Sequence, residues 1–436
     1  MEWSNICIII YLLAWITLVY VQIKRVRVVG PATMVMMSYS FYAILCLIYY
    51  NTEFQATNPN TPLTLFPFIY LFAMLYLALY PGLYFERSCV KTVQRPSSYI
   101  VDSFIIVYCI CSIIQIPSIL GQITSGITMI LLESQGGADL YLEKSNRVLA
   151  VSDYAISGLN GMISIVHNVF QDISVFFVFY YLTLPKRKKI LVILLTTIVL
   201  IDMLYSLSQG ERNYVMMFFF MFAVGYFLFH DYIEEKVRAI VKKIALVLMG
   251  LMLVPFVAIT ISRFGESKNT TPIESAISYA GKAPVNFNAY VFHTDEIRYG
   301  DRTMNLFKKI LGFDAPANHE EGHIKYPNLI IDDYTFYTFV GDFVMDFGLI
   351  FAAILFLVFS SMFSSLVRVR GRTMYLHQML IIYFVLNICA QGGMYLFSYS
   401  YNGNWKIMGY IFMYFVLLTD SRSIPAKQRL FLIRNR

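Results

Sequence analysis

"KILVILLTTIVLIDMLYSLSQGERNYVMMFFFMFAVGYFLF", residues 189–229, is two apolar runs joined by one short polar turn. About 20 apolar residues in a helix cross the hydrocarbon core of a bilayer. Each run is close to that length, and the turn between them, "SLSQGERN" (206–213), is too short to be anything but a tight connection. The stretch therefore reads as a helical hairpin through a membrane.

The same pattern recurs along the chain. Its 436 residues are 58% hydrophobic and only 14% charged, with a mean hydropathy of +0.61. That is more apolar surface than a soluble core can use. Eleven runs are expected to span, at about 3–22, 30–50, 62–84, 99–120, 160–184, 190–208, 213–230, 244–262, 340–366, 374–398 and 405–419. The first has no small-residue cleavage pattern after it and is read as a retained span rather than a signal peptide. The fold class expected is thus an all-α polytopic membrane protein, a single membrane domain over 1–436.

Basic residues set the orientation. Alternate loops carry "KRVR" (24–27), Arg87, Lys91 and Arg95, "KRKK" (186–189), Lys236, Arg238, Lys242 and Lys243, "RVRGR" (368–372), and the tail 420–436. These hold 22 of the 34 basic residues, whereas 51–61 and 399–404 hold none. The positive-inside rule puts the N-terminus outside and the C-terminus in the cytoplasm, which eleven spans satisfy. The net charge of +7 is then explained by loops lying against anionic membrane lipids, and it calls for no nucleic acid. The six cysteines show no metal-ligand spacing and read as buried structural thiols.

Two segments leave this regular pattern on the outer side. In 121–158, "ITMILLES" (127–134) is apolar but too short to span, and reads as an interfacial segment. The larger excursion, 263–335, mixes polar residues with apolar patches such as "IESAISYA" (273–280) and "NLFKKILGF" (305–313). Short helices folded on the membrane face are expected there.

Within that loop, "HEEGH" (319–323) has the H-E-x-x-H spacing of zinc peptidases. The extended motif would place Gly at 326 and His at 329, where this chain has Tyr326 and Leu329. Pro316 and Pro327 leave about ten residues for a helix, and Gly322 weakens it by about 1 kcal/mol relative to Ala. The spacing is read as chance, and neither a metal site nor a cofactor is expected.

Arginine at the outer face is the stronger signal. Glu211 and Arg212 occupy the tight turn, and Arg263 lies at the outer end of a span. Charges beside apolar helix are costly and find partners, either a local acid such as Glu266 or a ligand. Guanidinium groups bind phosphate bidentately and keep their charge when partly desolvated. An anion with an apolar tail at this level is a phospholipid or an isoprenoid pyrophosphate. Lys282, Arg298 and Arg302 are further candidates in the large loop, where a solvated surface is the ordinary use of such residues.

Two stretches carry a family resemblance. "SQGERN" (208–213) resembles the Ser-x-Gly-x-Arg turn of bacterial oligosaccharide repeat-unit polymerases, the O-antigen polymerase (Wzy) group. "DDYTFYTFVGDFVMDFGLIFAAILF" (332–356) is similar to the segment in which that family re-enters the membrane, with Asp346-Phe347-Gly348 at its centre.

The resemblance implies a GT-C-like glycosyltransferase with a large periplasmic loop, in the bacterial inner membrane. It implies transfer of a growing glycan from undecaprenyl pyrophosphate to the next lipid-linked repeat unit, in O-antigen, capsule or exopolysaccharide synthesis. A chain-length regulator and a flippase are the implied partner proteins. Arg212, Arg263, Lys282, Arg298 and Arg302 would then face the pyrophosphate, and His323 or Glu211 would take the acceptor proton. An O-antigen ligase is a close variant. A lipid-linked-oligosaccharide flippase or other transporter is the alternative from another class; Asp172 and Asp202, inside apolar spans, are the features that favour it, unless they form packed polar pairs.

Overall fold

The computed structural model describes residues 2–88, 90–132, 140, 158–185, 188–210, 213–264, 272–316, 319–331, 335–369, 371–394, 401–424 and 430–434. The chain is a helical, multi-pass membrane protein, with eight helices long and apolar enough to cross a bilayer among the described residues. These are Trp3–Val26, Pro31–Thr57, Leu65–Arg87, Ser98–Ile130, Gly161–Leu182, Lys189–Ser208, Val215–Tyr232 and Thr338–Leu366, matching eight of the eleven expected runs. Of the other three runs, 244–262 and 405–419 fall within helices Glu235–Phe264 and Tyr401–Ser423, and 374–398 contains the shorter helix Leu376–Gly392.

The packing divides the chain into two units, the first made of residues 1–89, 273–369 and 384–404, the second of 90–272, 370–383 and 405–436. In the first unit, α1 (Trp3–Val26), α2 (Pro31–Tyr49) and α3 (Leu65–Arg87) pack together. Arg27 closes α1 in the left-handed region, its N–H on Ile23 O, with Lys24 and Arg25 in the last turn where the helix dipole favours cations. Pro31 opens α2 at a position that needs no N–H donor. Glu86, at the end of α3, caps that start: its carboxylate accepts the Thr33 N–H at 2.9 Å, the Thr33 hydroxyl at 2.8 Å and Gln22 Nε2 at 2.9 Å.

In the second unit, α4 (Ser98–Leu132), α5 (Gly158–Leu182), α6 (Lys189–Ser208), α7 (Asn213–Phe229) and α8 (Glu235–Phe264) form the helical body. The segment 127–132, expected to be interfacial, instead continues α4 without a break. Nothing between 120 and 127 forbids helix, and at 1.5 Å per residue α4 is about 52 Å long. Gly126 also needs its missing side chain, because a Cβ there would lie 2.0 Å from the backbone oxygen of Ser208.

A three-stranded sheet was not foreseen. Strand β1 (Thr92–Gln94) pairs in parallel with β2 (Thr373–Tyr375) and antiparallel with β3 (Phe431–Ile433). The three strands come from basic segments that charge alternation assigns to one side, so their pairing requires that shared side. Segments assigned to the opposite side also meet one another. Ser4 Oγ accepts the Leu63 N–H at 3.0 Å, Asn288 exchanges hydrogen bonds with the Thr64 backbone, and Asn404 does so with Thr303 and Leu306.

The large excursion contains the expected short helices, α9 (Pro272–Ala289), α10 (Asn305–Ile310) and α11 (His319–Lys325). It is followed by α12 (Thr338–Leu366), whose helical path is broken at Gly348, φ 75° and ψ 165°. Helices α13 (Leu376–Gly392) and α14 (Tyr401–Ser423) follow.

Candidate functional sites

Ahead of the Gly348 break, Asp342 and Asp346 lie one turn apart on α12, and both are fully buried. Two buried carboxylates in an apolar setting require compensation. The loop supplies it. Arg298 Nε lies 2.8 Å from Asp346 Oδ1, its Nη2 lies 3.5 Å from Asp342 Oδ1, and Arg302 Nε lies 3.0 Å from the same Asp342 oxygen. Thr303 donates its N–H and its hydroxyl to Asp346 Oδ2, each at 2.7 Å. The Arg298 backbone N–H donates to Met345 O at 2.9 Å. Two positive and two negative side chains thus pin the loop to the broken helix.

A second cluster braces the first. Asp301 accepts a hydrogen bond from Tyr326 Oη at 2.6 Å and pairs with Lys325 at 2.9 Å and with Lys308. Burial opposes ionisation of Asp301, but its bonds from Lys308, Tyr326 and Lys325 outweigh that and hold the carboxyl below its usual range. Lys325 is held above its ordinary value: its bonds to Asp301 and Asp314 overcome the opposing effect of burial. Burial, then the bond to Asp301, raises the Tyr326 phenol.

The structure therefore brings Arg298 and Arg302 together, with Arg298 only 2% exposed rather than on a solvated loop surface. Lys282 is half-buried, its Nζ 5.0 Å over the Phe336 ring, within reach of a cation–π attraction. His323 is exposed in the seven-residue α11. Arg263 belongs to α8, in the other unit. Glu211 and Arg212 lie outside the described residues.

The second unit contains a feature that the sequence reading passed over. A cavity of about 570 Å³ opens between α4, α5 and α6. Of its thirteen lining residues three are isoleucines, and the other ten carry hydrogen-bonding side chains. Asp202 Oδ1 lies 3.2 Å from His167 Nε2. His167 Nδ1 lies 2.9 Å from Ser112 Oγ, and the Ser112 hydroxyl donates to Tyr108 O. The Tyr108 ring lies parallel to the imidazole, centroids 6.1 Å apart.

The signal was present as polar stripes at helical spacing. Gln115, Ser118 and Gln122 share one face of α4; Ser164, His167, Asn168 and Gln171 one face of α5; Asp202, Tyr205 and Ser206 one face of α6. Asp172 does form a polar pair, with Lys406 Nζ at 2.9 Å. No group of three or more His, Cys, Asp and Glu side chains is arranged to hold a metal ion among the described residues. The chain matches no protein-family model, no curated protein sequence and no solved structure.

Proposed function

We propose that this protein is a polymerase of undecaprenyl-pyrophosphate-linked oligosaccharide repeat units. It works at the periplasmic face of a bacterial inner membrane, with eleven crossings and a GT-C-like architecture. The observation that supports this reading is the break in α12 at Gly348, with the preceding loop pinned to it by Arg298 and Arg302. The break falls at the centre of the stretch that resembles the re-entrant segment of repeat-unit polymerases.

In this reading the acceptor hydroxyl oxygen attacks the anomeric carbon of the growing glycan while the bond to the pyrophosphate oxygen breaks. Charge accumulates on the departing pyrophosphate, and guanidinium groups neutralise it as a metal would elsewhere. Arg212 and Arg263 take that role, with Lys282 in support. Arg298 and Arg302 already face Asp342 and Asp346, so their first contribution is to position the loop. His323 or Glu211 receives the acceptor proton.

The test is reconstitution. Purified protein supplied with lipid-linked repeat units should yield a ladder of glycans differing by one unit. A transport reading draws on Asp172–Lys406 and Asp202–His167, pairs whose aspartates lie on long apolar helices. Translocation of the lipid-linked unit without any new glycosidic bond would establish it instead.

A further inference from the structure

We propose that the cavity between α4, α5 and α6 is a binding site for the hydroxyl groups of a neutral saccharide. The lining argues for this ligand class. Glutamines, asparagine, serines and a tyrosine offer both donors and acceptors, as a polyol requires. Neither Lys nor Arg occurs among the described lining residues. A pyrophosphate would find no counter-charge there, whereas a sugar needs none.

Two lining residues are left with capacity for a ligand. Asp202 is only 4% exposed, yet its Oδ2 is buried without a partner among the described residues. The same holds for Nε2 of Gln115. One is an acceptor and the other a donor, and each would carry a substantial penalty if it stayed unpaired.

Hydrogen-bond accounting explains why Asp202 is held in this state. The Ser112 hydroxyl spends its single hydrogen on Tyr108 O, so it accepts from His167 Nδ1–H. Asp202 Oδ1 faces His167 Nε2 across 3.2 Å. Oδ1 is committed to the imidazole, and Oδ2 remains for a ligand.

The position of the cavity points to a sugar carried on a lipid. Ile114, on its rim, is 53% exposed, and it continues an exposed apolar face of α4 with Ile110 and Ile113. That face meets lipid in a membrane-spanning helix, so the cavity opens beside the bilayer. Choosing the lipid-linked repeat unit as probe rests on the polymerase reading; the cavity chemistry does not.

The experiment uses the full chain in nanodiscs, with its cysteines replaced and a single cysteine at Ser118, a lining position. Maleimide labelling should slow at least tenfold with lipid-linked repeat units from the producing cells, and less than twofold with undecaprenyl pyrophosphate. The same oligosaccharide freed from its lipid should protect only at much higher concentration. Asp202→Asn and Gln115→Leu should each reduce protection at least tenfold. Gln115→Leu keeps the volume and removes an amide nitrogen the fold leaves unpaired, so it tests the site even if Asp202→Asn misfolds.

Equal protection by undecaprenyl pyrophosphate, no protection by any probe, or full protection in Gln115→Leu would each overturn the proposal. Equal protection by the free oligosaccharide would overturn its lipid-borne part. Polymer formed without protection sinks this inference alone; protection without polymer sinks the polymerase reading and leaves the saccharide site.

Discussion

Arg298 Nε lies 2.8 Å from Asp346 Oδ1, with side chains 2% and 0% exposed. One residue belongs to the large excursion and the other to the helix that follows it. Removing one member leaves a buried charge uncompensated, at a cost of about 3–5 kcal/mol. Arg298→Ala should therefore lower the unfolding temperature of the purified protein and expose 263–335 to trypsin. The paired change Arg298→Met with Asp346→Leu should cost much less, and equal losses from both would show that the pair itself is not what holds the loop.

Gly348 has φ 75° and ψ 165°, a region that is essentially glycine's alone. A Cβ there would make only ordinary contact, 3.4 Å from Ile297 Cδ1. Gly348→Ala should thus cost about 1–3 kcal/mol through backbone strain rather than collision. Thermal unfolding measures it; a wild-type transition would mean the break is not maintained.

The carboxyl of Asp301 is held below its usual value of 3.8. The sign follows from linkage. A lowered folded value contributes stability that is present above the unfolded value and is lost as pH falls through the folded one. The loop should keep its protease resistance from neutral pH down to about pH 4, then lose part of it on further acidification. Asp301→Asn should be weaker at neutral pH and lack that acid-dependent step.

Charge alternation and the cross-loop hydrogen bonds predict an asymmetric labelling pattern in intact cells. Cysteines at exposed Asn60 and Leu311 should react with an impermeant maleimide added outside. Cysteines at exposed Lys236 and Arg372 should react only after permeabilisation. Labelling of Lys236→Cys from outside would reverse the orientation.

Polymer formation by Arg212→Ala and Arg263→Ala, at matched protein levels, tests the proposed pyrophosphate contacts. A charge-assisted contact contributes about 1.5–3 kcal/mol, so each loss should slow ladder growth by one to two decades. Lysine keeps the charge without the planar fork and should be intermediate. Wild-type ladders from both alanine variants would remove these arginines from the mechanism.

Membrane class and most spans were legible in the sequence, because each depends on local composition. An apolar run of sufficient length spans wherever it occurs. Asp172 and Asp202 were conspicuous for a similar reason, as ionisable residues within apolar runs. Their partners, Lys406 and His167, lie 234 and 35 positions away along the chain, and only packing pairs them.

The same holds for the polar cavity. Each of its three stripes is readable on its own helix, but helical period does not state which stripes face one another. The sheet of β1, β2 and β3 joins segments more than 50 residues apart, through backbone hydrogen bonds that carry no side-chain signature. The fate of Arg298 was decided there too. Charge in a polar loop is ordinarily solvated; two buried aspartates on a neighbouring helix make burial the lower-energy choice for this one.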